Sequence, residues 1–183
     1  QSHENAEAMS TAAAATTGRE PGDFVVASTG VIGQTINISA IQAGLPQAAA
    51  ALSASGSDAA AHAIMTTDTV KKELALACSI GGRTVTLGDC AITHELLSDA
   101  LHEVVSRTFN RVTVDGDTST NDMCVVLANG MAGNSLIEWK DQDYETFLAA
   151  LEEVCRHLSR AIAGDGEGAS RLITCAVREA RSE

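Results

Sequence analysis

A chain of 183 residues with 45% hydrophobic content is long enough to bury one ordinary core and too short to expect two independent ones, so a single domain over residues 1–183 is the expectation. Its 12 Lys and Arg stand against 24 Asp and Glu, and a formal charge of -12 repels phosphate backbones and anionic membrane surfaces, which argues against nucleic-acid and membrane partners. With only 3% aromatics the core must be built from Ala, Val, Leu and Ile, and aromatic stacking is excluded as a main recognition device.

Residues 4–16 are Ala-rich with few breakers and predict a helix, followed by a turn at 18–22. Residues 24–27 form a short β-prone run that reads as a buried strand opening into the loop Ser28-Thr29-Gly30. A helix is predicted over 38–52, broken near Gly44 and Pro46, and a short one over 59–65. Residues 73–80 and 83–87 read as two strands, and Gly81-Gly82 between them is a two-residue hairpin signal.

Beyond the hairpin, residues 93–105 set Leu96, Leu97, Ala100, Leu101, Val104 and Val105 on one helical face, with Thr93 suited to the N-cap. A short strand is predicted over 111–114 before an acidic loop, and the apolar run 123–128 fits no single period. The clearest helix spans 143–162, where Tyr144, Phe147, Leu148, Leu151, Val154, Cys155, Leu158 and Ile162 recur at helical spacing. Residues 172–177 close as a strand. Helix and strand signals alternate irregularly without an internal repeat, so the fold class is mixed α+β with a partly antiparallel sheet.

The five cysteines, Cys78, Cys90, Cys124, Cys155 and Cys175, form no C-x-x-C pair and read as reduced thiols of a cytoplasmic protein. Neither a basic segment followed by an apolar run nor a membrane-length apolar stretch occurs, so the chain reads as soluble and unexported. The five histidines lack metal-ligand spacing, and no phosphate-binding glycine motif is present; no metal and no cofactor are expected. The acidic loop 115–122 alternates oxygen ligands as an EF-hand does, but Thr120 stands where that loop needs Gly and Val126 where it needs Glu, so calcium is rejected.

Four polar signatures remain: Ala27-Ser28-Thr29-Gly30-Val31-Ile32-Gly33, Ile64-Met65-Thr66-Thr67-Asp68-Thr69, Thr113-Val114-Asp115-Gly116-Asp117-Thr118-Ser119-Thr120-Asn121-Asp122, and Asp165-Gly166-Glu167-Gly168-Ala169. Each sets Thr, Gly or a carboxylate at the edge of an apolar segment. After a strand, Thr29-Gly30 makes either an ordinary turn or a corner whose free N–H groups can receive a developing oxyanion. The hydroxyls and carboxylate of 66–69 either cap the backbone or bind a small amino acid. The glycines near 165 suit a helix C-terminus, whereas Glu167 between them is harder to explain as capping and suits a ligand ammonium.

In this order and spacing the four signatures resemble the central part of the ornithine acetyltransferases, also called glutamate N-acetyltransferases. The resemblance implies an αββα fold of the N-terminal-nucleophile type and acetyl transfer from N-acetylornithine to glutamate in arginine biosynthesis. It implies self-cleavage before a Thr whose freed amine acts as base while its hydroxyl takes the acetyl group. By matching motif, Thr29 and Gly30 would stabilise the oxyanion, and Thr66 and Glu167 would contact substrate. The cleaved halves would stay associated and assemble into a homo-oligomer, with acetyl-CoA a further candidate substrate. The family carries Ala-Lys-Gly and Met-Ala-Thr-Met-Leu after the hairpin, whereas here Gly88 runs directly into Asp89, which implies a segment missing at the 88/89 junction. The alternatives are a catalytically inactive truncated relative acting as a binding or interaction module, and a related self-processing aminopeptidase or amidase.

Overall fold

The computed structural model describes residues 2–31, 33–114, 116, 122–166 and 168–179. The chain divides into two compact units, Gln1–Ala63 and Ile64–Glu183.

The first unit is helical: α1 (Ser2–Thr17), a 3-10 turn at Pro21–Asp23, α2 (Ile38–Ala50) and α3 (Ser57–Ala63). The side chain of Asn37 caps α2 by accepting the Ala40 N–H at 3.1 Å. The predicted break in α2 does not occur. Pro46 sits inside the helix, where it forfeits one backbone hydrogen bond, and the turns before and after it hold. α1 packs on α2, and Met9 and Ala14 of α1 are the buried apolar side chains described in this unit.

The second unit holds β1 (Ala77–Ile80), β2 (Arg83–Thr86), α4 (His94–Arg107), a 3-10 turn at Phe109–Arg111 and α5 (Gln142–Gly164). β1 and β2 pair antiparallel in the register Cys78↔Val85 and Ile80↔Arg83. Gly81 (φ +56°) and Gly82 (φ +74°) take the left-handed conformation that a two-residue hairpin loop requires at both positions. Asp141 caps α5 by accepting the N–H groups of Asp143 (3.0 Å) and Tyr144 (3.1 Å). α5 then turns Tyr144, Phe147, Leu148, Leu151 and Cys155 into a core shared with Ile80 and Val85 of the hairpin and with Ala100 and Val104 of α4.

Between β2 and α4, Asp89 folds back so that its carboxylate accepts the Thr86 N–H at 2.6 Å, and the chain passes directly to buried Cys90. The buried side chain of Asn134 then imitates a paired strand. Its Oδ1 accepts the Ala91 N–H at 2.9 Å, and its Nδ2 donates to the Ala91 carbonyl at 3.1 Å and the Ser135 carbonyl at 2.8 Å. Ile92 bridges Ile137 in parallel one step further on.

The architecture is mixed α+β with an antiparallel hairpin, yet three predicted strands are not formed. Residues 24–27, 111–114 and 172–177 pair with no strand among the described residues. Their β-branched content is a preference for a pleated, half-buried neighbour, and among the described residues no strand lies beside them; Val25, Val114, Ile173 and Val177 are exposed. The run 123–128 is likewise irregular, with Val125 and Leu127 exposed. Among the described residues no helix is long and apolar enough to cross a membrane.

Candidate functional site

Two loops of the second unit meet at the C-terminal end of α5. Asp165 caps that helix, donating its N–H to the carbonyls of Ala161 (3.1 Å) and Ile162 (3.3 Å). Gly166 follows, and the Ala169 N–H reaches back to its carbonyl at 2.8 Å. Gly168 has φ +73°, a conformation that costs an L side chain strain and glycine none. A Cβ on Gly166 would come within 3.0 Å of Val114 Cγ1, so this glycine also makes room for its neighbour.

The loop 66–72 is held to that helix end by charge. Asp165 accepts the Thr69 N–H at 3.0 Å and also the Thr69 hydroxyl. Lys72 Nζ lies 2.5 Å from Asp165 Oδ2, 2.5 Å from Asp68 Oδ1 and 3.3 Å from the Val70 carbonyl. Asp68 in turn accepts the Thr66 N–H at 3.2 Å. The Lys72 and Asp165 side chains are 12% and 8% exposed, so water screens this pair less than it would an ion pair on open surface.

The titration of these groups follows from the contacts. The Lys72 ammonium beside Asp165, with the Thr69 hydroxyl next, holds the Asp165 carboxyl well below its ordinary value of 3.8. Lys72 and the Thr66 N–H lower Asp68 in the same way. Burial by itself lowers the Lys72 pKa, but the hydrogen bonds to Asp165 and Asp68 outweigh it and the net shift is upward. All three groups are therefore charged across the physiological range.

Thr67, Thr69, Asp165, Gly166, Gly168 and Ala169 line a cavity of about 560 Å³, within the size range of small-molecule sites. Its walls offer hydroxyls, a carboxylate and glycine backbone, groups suited to a small polar ligand.

Of the residues singled out in the sequence, Thr66 is exposed and joins this cluster through its backbone N–H without lining the cavity. Glu167 lies outside the described residues. Thr29 and Gly30 belong to the first unit, on an exposed irregular stretch. A Cβ on Gly30 would meet nothing within 4 Å, so packing does not demand glycine there. The acidic loop is described only at 113, 114, 116 and 122. Sequence reading missed Lys72. The Asp68/Lys72 spacing of four was visible, but the tie to Asp165 joins residues 93 positions apart.

The comparisons with known proteins bear on this arrangement. The sequence profile of the ArgJ family matches residues 1–91 and 84–183. The arginine biosynthesis bifunctional protein ArgJ of Symbiobacterium thermophilum is 44% identical over 202 residues, covering 98% of this chain and 50% of that protein. Those of Synechococcus sp. and Geobacillus kaustophilus are 44% and 39% identical, covering 84% and 86% of this chain and 42% and 44% of theirs. A crystal structure of the ArgJ protein of Bacillus halodurans matches 46% of this chain and 39% of its own at 48% identity, with a TM-score of 0.44. The chain thus spans about half the length of the curated relatives it matches. With both matched segments together running from its first residue to its last, the chain belongs to the ArgJ family.

Proposed function

We propose that the protein takes part in acetyl transfer from N-acetylornithine to glutamate in arginine biosynthesis. The observation that carries this reading is 44% identity, over 98% of the chain, to a protein named for arginine biosynthesis. In this reading Thr29 and Gly30 present backbone and hydroxyl donors to the oxyanion formed when the acetyl carbonyl is attacked, lowering the barrier where charge develops. Thr66 contacts the bound substrate and Glu167 holds its polar end. The nucleophilic Thr belongs to a segment between Gly88 and Asp89 that this chain lacks. Two findings favour such a segment: the family profile matches in two pieces that meet at 84–91, and the alignment with the Symbiobacterium protein runs over 202 residues against the 183 here. The reaction takes place in the cytoplasm, in keeping with five free cysteines.

The test is transfer of labelled acetyl from N-acetylornithine to glutamate by the protein expressed from its gene read across the 88/89 junction. Transfer above background is expected, and its absence overturns the assignment.

A second reading, an inactive relative that serves as a binding module, is favoured by the junction itself. There the Asp89 carboxylate closes a hydrogen-bonded turn onto Thr86 and Cys90 enters the core, as in a chain that folds without an insert. Mass spectrometry of the protein purified from its own cells separates the two. A mass equal to these 183 residues supports the inactive relative, and a larger one with an additional internal peptide supports the enzyme.

A further inference from the structure

The Lys72–Asp165 pair joins two segments that the proposed function uses separately: the Thr-Thr-Asp-Thr loop, which contains Thr66, and the glycine-flanked loop, which contains Glu167. We propose that Lys72 and Asp165 are positioning residues for the N-acetylornithine subsite, an ionic clamp that fixes the backbone of both loops relative to each other. The proposal rests on the acetyl-transfer reading for its substrate and on geometry for everything else.

A continuous chain of contacts runs through the clamp. The Thr66 N–H donates to Asp68, Asp68 pairs with Lys72, Lys72 pairs with Asp165, and Asp165 accepts both the N–H and the hydroxyl of Thr69. The loop 66–72 consequently has its backbone tied at Thr69 to the Asp165 carboxylate, and Lys72 of the same loop holds that carboxylate in place. Asp165 is anchored from behind as the cap of α5, so the reference for the whole array is a helix packed into the core. Lys72 is the one cation among these contacts, and it bridges two carboxylates at 2.5 Å each. A neutral side chain in its place leaves two carboxylates facing each other across the gap, and like charges force them apart. Asp68 then releases the Thr66 N–H, and the loop 66–69 loses its register against Ala169 and Gly168 on the cavity wall.

Neither residue touches the reacting atoms in this scheme, so the expected signature is a loss of substrate affinity with turnover largely retained. In the protein expressed at its full encoded length, Lys72→Met raises KM for N-acetylornithine about 10-fold, because displacing a positioning loop by a fraction of an ångström weakens every contact it makes. The same variant changes kcat by less than about threefold. Lys72→Arg, which keeps the charge and a fork of donors, restores most of the affinity. Amide hydrogen exchange speeds up in Lys72→Met at Thr69 and at Ala169 together, and Asp165→Asn gives the same pattern.

The proposal is overturned if Lys72→Met leaves KM within about twofold and exchange at both amides unaltered. It is equally overturned if Lys72→Arg falls as far as Lys72→Met in KM and in thermal midpoint, which marks a merely structural role. Should the unsubstituted protein transfer no acetyl group, the acetyl-transfer reading fails alone. Exchange at Thr69 and Ala169 in the Lys72→Met variant still decides whether the clamp exists.

Discussion

Two neighbouring side chains on α5 should respond to truncation very differently. Tyr144 and Phe147 lie about one turn apart, 1% and 0% exposed, and both face the hairpin and α4. The Tyr144 hydroxyl is buried with no hydrogen-bond partner among the described residues. Burial pushes its pKa up, with only a partial offset from Lys140, whose ammonium lies 5.6 Å from the ring centroid. Tyr144→Phe therefore removes an oxygen that gave up its water and gained nothing, while the ring that fills the core and faces Lys140 stays. An unsatisfied buried hydroxyl costs about 1–3 kcal/mol, so this change should leave stability unaltered or raise it by ~1 kcal/mol. Phe147→Ala instead deletes a fully buried ring and leaves a cavity, at a cost of about 3–5 kcal/mol. That is a large part of the ~5–15 kcal/mol that holds a domain together. Urea unfolding followed by far-UV circular dichroism, with the slope of the transition compared between variants, measures both. A loss of more than about 1 kcal/mol in Tyr144→Phe would show that the hydroxyl is satisfied after all and refute the reasoning.

Three other outcomes follow from the structure and the proposed chemistry. Thr29→Ala in the active protein should lower kcat by about 10²-fold and change KM far less, as expected for a donor that acts on the developing oxyanion; steady-state kinetics with N-acetylornithine checks this. The clamp should depend on pH in a window set by its own groups. Asp165 and Asp68 titrate below their ordinary 3.8 in the folded protein, so the stability they contribute is present above that value and lost as pH falls through their depressed pKa. Lys72 titrates above its ordinary 10.5, so its contribution is present below that value and lost as pH rises through the elevated one. Amide protection at Thr69 should accordingly stay flat between these limits, and a loss near neutrality would contradict the ion pairing. Finally, Cys90 and Cys155 are buried with thiols pushed up to about 11, chiefly by desolvation, whereas Cys175 is exposed. Iodoacetamide at pH 8 should label Cys175 of the 183-residue chain and spare Cys90 and Cys155, as read by peptide mass mapping.

What was legible in the sequence was local. The hairpin could be read because Gly81-Gly82 provides both left-handed positions within the turn itself. α5 could be read because one face repeats an apolar residue every three or four positions, and that face is the one that buries Tyr144, Phe147, Leu151 and Cys155. The stretches 24–27, 111–114 and 172–177 carry strand composition, but a strand also needs a partner, and composition does not say whether one is present. Pro46 misled in the other direction, since a helix can absorb the loss of one hydrogen bond when its remaining turns are intact. The candidate site divides in the same way. Its two loops stood out for their Thr, Gly and carboxylate content, but Thr69 and Asp165 are 96 residues apart, and only the fold brings them together.

α5 runs for 23 residues, a rod of about 34 Å, with its buried side chains recurring from Tyr144 to Ser159 and Asp165 just past its C-terminal end. Such a helix acts as a ruler. Removing or adding a single residue between Ser159 and Asp165 would swing the carboxylate by about 100° around the axis, away from Lys72, even if every side chain of the core kept its place. The length of this helix is therefore fixed by the need to deliver one carboxylate at one azimuth.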